Sequence, residues 1–157
     1  MWRHSVSTAE TNSELTHFAA LAAQLRTHVV LRHARDAALE GLSATELQAL
    51  ELAGQTADSL TPGRIGQLTG LSTGAVTGVL DRLEKSGLVL RERDRADRRR
   101  VLVTITEAGR ERLDAISARV ARRLAGVLAE FTSAERKVLG RYQFAMLEAL
   151  RENAHPA

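Results

Sequence analysis

The stretch LTPGRIGQLTGLSTGAVTGVLDRLEKSGLVLRERDRADRRRVLVTIT, residues 60–106, decides how this chain is read. Thr61 followed by Pro62 marks a helix start, because the threonine hydroxyl can accept from free backbone N–H groups and proline at the first helical position gives up no donor the helix needs. Ile65 and Leu68 give this short helix an apolar side, and Gly70 suits the left-handed residue that ends it. Ser72 is a second N-cap, opening a helix to Ser86 with Val76, Leu80 and Leu83 at spacings of four and three. Two short helices joined so tightly must cross steeply. That is a helix-turn-helix, whose second helix enters the major groove of a duplex N-terminus first.

Beyond Gly87 the hydrophobic period changes from 3.6 to 2. Leu88 to Arg93, a polar turn Asp94-Arg95-Ala96-Asp97 and Arg100 to Ile105 predict a hairpin, with Val101, Val103 and Ile105 on one buried face and Ser59-Leu60 as a minimal third strand. Six arginines (91, 93, 95, 98, 99, 100) stand against Glu92, Asp94 and Asp97 there, a net of +3. The whole 157-residue chain also carries +3, so the excess charge sits on one hairpin tip. Beside a helix-turn-helix, that placement points to duplex DNA.

Working outward, Ser13 is expected to cap a helix carrying Leu15, Phe18, Ala22, Leu25 and Val29, running to about Leu39 and ended by Gly41. Ser43 and Glu46 form a capping box before a helix with Leu47, Leu50 and Leu52 that reaches Gly54. Residues 55–59 read as a loop. Thr106 caps a long helix with Leu113, Ile116, Val120, Leu124, Val127 and Phe131, and a second capping box, Thr132 and Glu135, opens the last helix, which carries Val138, Leu139, Tyr142, Met146 and Leu150 to about Glu152. The first, fifth and sixth helices either pack only on each other or build a two-fold dimer. The stripe of about five turns on the fifth is longer than a compact chain of this size needs, which favours the dimer.

Composition narrows the function classes. Hydrophobic residues make up 44% and charged residues 26% of the chain, ordinary for a folded domain. No apolar run approaches the roughly 18 residues that span a bilayer. The start, MWRHSVSTAETNSE, lacks a signal-peptide core, so the expected location is the cytoplasm, with no membrane partner. There is no cysteine, which excludes disulfides, thiolate metal sites and thiol redox sensing. No H-x-x-x-H pair occurs and no metal or cofactor is expected. Catalysis is not expected either: no phosphate loop or H-E-x-x-H is present. Five aromatic residues (Trp2, Phe18, Phe131, Tyr142, Phe144) are too few for base stacking on single strands.

Within the helix-turn-helix, Ser72, Thr73 and Thr77 lie on the leading face of the second helix, where small hydroxyls reach phosphates or base edges; Ser72 is equally explained as a cap alone. Thr61 and Arg64 are placed to meet phosphates. Gly74 and Gly78 each cost roughly 1 kcal/mol relative to alanine inside a helix, which suggests close backbone approach to the groove or to a neighbouring element. Lys85 is expected to pair with Asp81 one turn earlier, and Arg82 could pair with Glu84 or Asp81 on the surface.

Gly74-Ala75-Val76-Thr77 followed by Leu80-Asp81-Arg82-Leu83, Gly87-Leu88-Val89, and Asp97-Arg98-Arg99 with Val101 to Thr106 and Gly109 behind it resemble the MarR winged-helix transcription factors over nearly the entire chain. The resemblance implies a mainly α protein, a winged helix-turn-helix with a small antiparallel β-wing flanked by dimerisation helices. Its parts would be an N-terminal dimerisation helix (1–41), a DNA-binding lobe (42–106) and C-terminal dimerisation helices (107–157). It implies a homodimer that regulates transcription from a pseudo-palindromic operator, with repression as the default. It also implies that Arg82 approaches the DNA backbone, that Arg99 enters the minor groove, that Asp97 holds the wing tip, and that Arg95, Arg98 and Arg100 contact phosphates. Members of the family typically respond to small, often aromatic anions. Here His17 and His28, eleven residues apart and nearly in phase with Arg26 and Arg32 nearby, either contribute to such a pocket or are ordinary surface histidines. The remaining alternatives are a winged helix whose wing docks an acidic protein, and a protein that coats DNA without sequence preference.

Overall fold

The computed structural model describes residues 8–55 and 60–152. In order they form α1 (Thr8–Leu39), α2 (Ala44–Gln55), α3 (Pro62–Thr69), α4 (Thr73–Lys85), β1 (Val89–Arg93), β2 (Val101–Ile105), α5 (Glu107–Ala129) and α6 (Ser133–Glu152). Among the described residues this is a mainly helical protein with one two-stranded antiparallel sheet. The expected N-cap at Ser13 is corrected: α1 starts at Thr8 and Ser13 lies inside it. Nothing between Thr8 and Ser13 is a glycine or proline, so no residue there stops the helix from extending toward the N-terminus.

The other helix starts follow their local chemistry. At α2 the Ser43 N–H donates to Glu46 Oε2 at 2.7 Å and the Glu46 N–H to Ser43 Oγ at 3.2 Å. Thr132 and Glu135 repeat the exchange at α6, at 2.7 and 3.3 Å. Thr61 Oγ1 accepts from Arg64 N at 3.2 Å ahead of Pro62, and Ser72 Oγ accepts from Ala75 N at 3.3 Å. Gly70, at φ +71°, closes α3 in the left-handed region.

In the wing, Val89 pairs with Ile105 and Arg93 with Val101. Leu60 adds a single bridge, its carbonyl accepting from Val103 N at 2.7 Å; the Ser59 half of that expected strand lies outside the described residues. Val103 and Ile105 are buried, but Val101, expected on the same face, is exposed, because it sits opposite Arg93 at the turn end of the ribbon. Gly109, in the first turn of α5, is demanded by space. A Cβ there would run into the Leu88 carbonyl and lie 2.7 Å from Ile105 Cγ1.

The chain divides into two compact units, Met1–Leu113 and Asp114–Ala157. In the first, Leu47, Leu50, Ile65, Val76, Leu80 and Leu83 from α2, α3 and α4 close one core together with Leu88, Val89 and Val103. Residues 12–32 of α1 are all exposed. In the second, Ile116 is buried, whereas Val120, Leu124, Val127, Tyr142, Phe144 and Leu150 are exposed.

Candidate nucleic-acid interface

The start of α4 presents Ser72, Thr73, Gly74 and Thr77 to solvent. The Ser72 hydroxyl already caps the helix, and Thr77 Oγ1 donates to the Thr73 carbonyl at 2.9 Å, so Thr77 keeps only acceptor capacity for a partner. An open cleft of about 360 Å³ lies between α3 and the start of α4, lined in part by Gly66, Leu71, Thr73 and Val76. On α3, Thr61 serves as the cap and Arg64 is exposed, its Nη1 donating to Gln67 Oε1 at 3.3 Å. Of the two explanations for the α4 glycines, a neighbouring protein element is ruled out among the described residues. A Cβ at Gly74 would meet nothing within 4 Å, and one at Gly78 would touch only Arg82 Nη1, at 3.5 Å.

Three ion pairs organise the charges of the lobe. Arg82 Nε bonds Glu46 Oε1, the capping carboxylate of α2. Burial pushes the Glu46 carboxyl up, but the Ser43 backbone N–H, the Arg82 guanidinium and the Ser43 hydroxyl together outweigh it and hold it below the ordinary value. Arg91 donates to Glu84 Oε2 at 2.5 Å and to Asp81 Oδ1 at 2.7 Å, clamping β1 onto α4. The Arg91 bond lowers the Glu84 carboxyl pKa. Asp81 thus goes to Arg91 and not to Lys85, as helix spacing alone predicted.

The wing tip is held by two aspartates. Asp97 Oδ1 accepts from Arg99 N at 3.0 Å and the Asp97 carbonyl from Arg100 N at 2.9 Å; Asp94 Oδ1 accepts from Ala96 N at 2.8 Å. Arg93 Nη1 donates to the Arg98 carbonyl at 3.1 Å, and Arg100 Nη1 stands 3.9 Å from Asp94 Oδ2. The side chains of Arg95, Arg98 and Arg99 have no partner among the described residues and are exposed.

His17 and His28 lie on the exposed part of α1. The His17 ring meets Phe18 edge-on at 6.3 Å, and His28 Nδ1 donates to the Gln24 carbonyl at 2.9 Å. Among the described histidines the partly buried one is His33, which sequence reasoning missed: its Nε2 donates to the Ala44 carbonyl at 3.2 Å and its Nδ1 is 4.0 Å from Glu51 Oε1. Burial raises the Glu51 pKa against the opposing pull of His33. Among the described residues no cluster of His, Asp or Glu has the makings of a metal site, and no helix is long and apolar enough to cross a membrane. Gly70-Leu71-Ser72-Thr73-Gly74 spells the G-x-S-x-G of a nucleophile elbow, a motif that sequence reasoning had counted as absent. That motif works on a strand-to-helix turn. Here it joins two helices, and its serine is the α4 cap.

Known proteins match this geometry. The MarR family model fits residues 40–100, from the end of α1 through the wing tip. An uncharacterized HTH-type transcriptional regulator of Bacillus subtilis (strain 168), YcgE, is 41% identical over 109 residues, which cover 69% of this chain and 70% of YcgE. CouR from Rhodococcus jostii RHA1, solved bound to p-coumaroyl-CoA, is 26% identical with a TM-score of 0.67, covering 89% of this chain and 93% of CouR. A variant of MepR from S. aureus, bound to an oligodeoxyribonucleotide, shares the fold at 17% identity and a TM-score of 0.62, covering 85% of this chain and 97% of MepR. With a capped helix-turn-helix, a basic wing and relatives of this kind, the chain belongs to the MarR family of DNA-binding transcriptional regulators.

Proposed function

We propose that this regulator is a ligand-responsive repressor that acts in the cytoplasm as a homodimer on a pseudo-palindromic operator. The observation that carries the reading is a wing tip braced by Asp94 and Asp97 that leaves the Arg95, Arg98 and Arg99 side chains without partners among the described residues. Arg99 enters the minor groove, Arg95 and Arg98 neutralise phosphates, and Arg100, near Asp94, contributes less. Asp97 keeps the tip in shape. On the helix-turn-helix, Thr73 and Thr77 face the groove, while Thr61, Arg64 and Ser72 meet phosphates and Arg82 acts at the DNA surface.

Residues 1–41 and 107–157 supply the dimer contacts and residues 42–106 the DNA-binding lobe. Exposed apolar side chains on α1 and α6 support that division. A two-fold dimer sets two α4 helices about 34 Å apart, one turn of duplex. The effector is a small aromatic anion, and CouR, solved bound to p-coumaroyl-CoA, which carries an aromatic acyl group, supports an aromatic ligand. His17 and His28 contribute to its pocket where a second copy covers their face of α1. Effector binding weakens DNA affinity by shifting the population between dimer states that space the two lobes differently.

The test is a salt-dependent titration against the gene's own upstream promoter duplex and a scrambled control, alongside the solution mass. The reading expects a dimer that prefers the promoter by orders of magnitude. It expects Arg99→Ala to lose that preference and Arg98→Ala to lower the salt slope by about one per wing. Equal binding to both duplexes would make this a DNA-coating protein, and an Arg99→Ala variant with unchanged affinity would assign the wing to a protein partner. A reporter that falls when the gene is deleted would replace repression with activation.

A further inference from the structure

Arg82 sits in the second half of α4, and helical side chains lean toward the N-terminus of their own helix, over the preceding turn. The residue one turn back is Gly78. The Arg82 guanidinium lies beside it, with Nη1 at ordinary contact distance, 3.5 Å, from where a Cβ would stand. The guanidinium does not float there. Its Nε bonds Glu46, whose side chain is only 10% exposed while that of Arg82 is 60% exposed. Glu46 is itself fixed by the Ser43 N–H at 2.7 Å. A carboxylate at the head of α2 thus grips the inner edge of an arginine on the recognition helix, and the two Nη groups have no other partner among the described residues.

We propose that Glu46 positions Arg82 as the base-reading side chain of α4, its guanidinium carried back over Gly78 so that the Nη pair meets the O6 and N7 edge of a guanine in the major groove. Arginine presents a planar fork, and guanine is the base whose two adjacent acceptors match it. Holding Nε removes one torsional freedom from a long side chain before DNA arrives, so less is lost on binding. Because Glu46 is buried, it can hold the arginine without setting a bare negative charge against the phosphates. The arrangement also supplies a long donor side chain to a helix face whose other residues are short: exposed Thr73, Gly74 and Thr77 and half-buried Gly78.

This inference rests on the operator-binding reading, and the experiment separates the two. Affinity is measured for wild-type protein, Arg82→Ala, Arg82→Lys, Glu46→Ala and the Glu46→Ala/Arg82→Ala double variant. Each is tested against the promoter duplex and its single-base-pair variants, with Tm recorded beside each. Expected for Arg82→Ala is a loss of about tenfold or more per half-site, confined to duplexes that keep one particular G·C pair, with lysine failing to rescue it. Glu46→Ala should lose part of the same preference, and in the Arg82→Ala background it should lower Tm with no further change in base preference. Ser43→Ala, which removes the cap hydroxyl and leaves the Arg82 bond, should lower Tm only. Uniform loss over all duplexes with a smaller salt slope would make Arg82 a phosphate contact and overturn the proposal. Additive losses for Glu46 and Arg82 would remove Glu46 from the role. Wild-type protein that prefers no duplex would overturn the operator-binding reading, and this inference with it; selective wild-type protein whose Arg82→Ala variant is equally selective overturns this inference alone.

Discussion

The winged lobe and the first part of α1 treat identical side chains in opposite ways. Leu47, Leu50, Leu80 and Leu83 are at most 1% exposed, whereas Leu15 and Leu25 on α1 are 62% and 65% exposed. Both sets recur at spacings of three and four, so periodicity assigns a face to each but names no partner. In the lobe, α2, α3, α4 and the hairpin converge on one core that buries Leu47, Leu50, Ile65, Leu80 and Leu83, although Leu68 and Leu90 stay exposed. Residues 12–32 of α1 have no such core, and an isolated helix in water is marginal at best. The lobe is therefore the part whose core one chain closes by itself, and the first part of α1 is the part it leaves exposed.

The comparison is tested most strongly by Leu80→Ala, which should cost about 2–5 kcal/mol by leaving a cavity in the closed core. Urea unfolding should show the same midpoint shift at every protein concentration; a shift that vanished at high concentration would mean that the lobe core is completed by a second chain. Leu25→Ala should act on association. Burying one such side chain stabilises by about 1.5–3 kcal/mol, so dilution in an ultracentrifuge should split the variant at concentrations at least tenfold higher than wild type. An unchanged dissociation constant would take Leu25 out of the interface. Thr132→Ala should lower stability by about 1 kcal/mol through loss of the α6 cap, read as a lower Tm with operator affinity unchanged. The smallest effect is on pH. Glu46 and Glu84 have folded-state pKa values below the ordinary 4.5, so their contribution is present above that value and fades as pH falls through the folded ones. Melting curves taken below about pH 4.5 should fall more gently for Glu46→Gln than for wild type; parallel curves would remove Glu46 from acid sensitivity.

Much of the fold was readable because its signals are local. Ser43 with Glu46, Thr61 before Pro62, Ser72, and Thr132 with Glu135 each act across three residues or fewer, and every one caps the helix expected of it. Ser13 shows that a local signal can also mislead, since the helix runs through it, while other side chains are claimed by contacts that spacing cannot see. Asp81 lies one turn from Lys85 but is claimed by Arg91 from the adjoining strand. Arg82 reaches Glu46, 36 positions away in sequence. Gly109 could be picked out only through the family resemblance, and the crowding by Leu88 and Ile105 supplies its physical reason. The α4 glycines show the reverse case. Sequence left two explanations, and the empty space around Gly74 leaves approach from outside the chain.

Arg91, clamped between Asp81 and Glu84, contributes to the formal charge of the wing and has little left for a polyanion. If two wings meet an operator as proposed, Arg95, Arg98 and Arg99 by themselves would release about six counterions, and that contribution alone would lower affinity roughly 40-fold on doubling monovalent salt. Gene control by such a dimer would then be tied to the osmotic state of its cell, an upshift that concentrates intracellular potassium loosening the operator and dilution tightening it again.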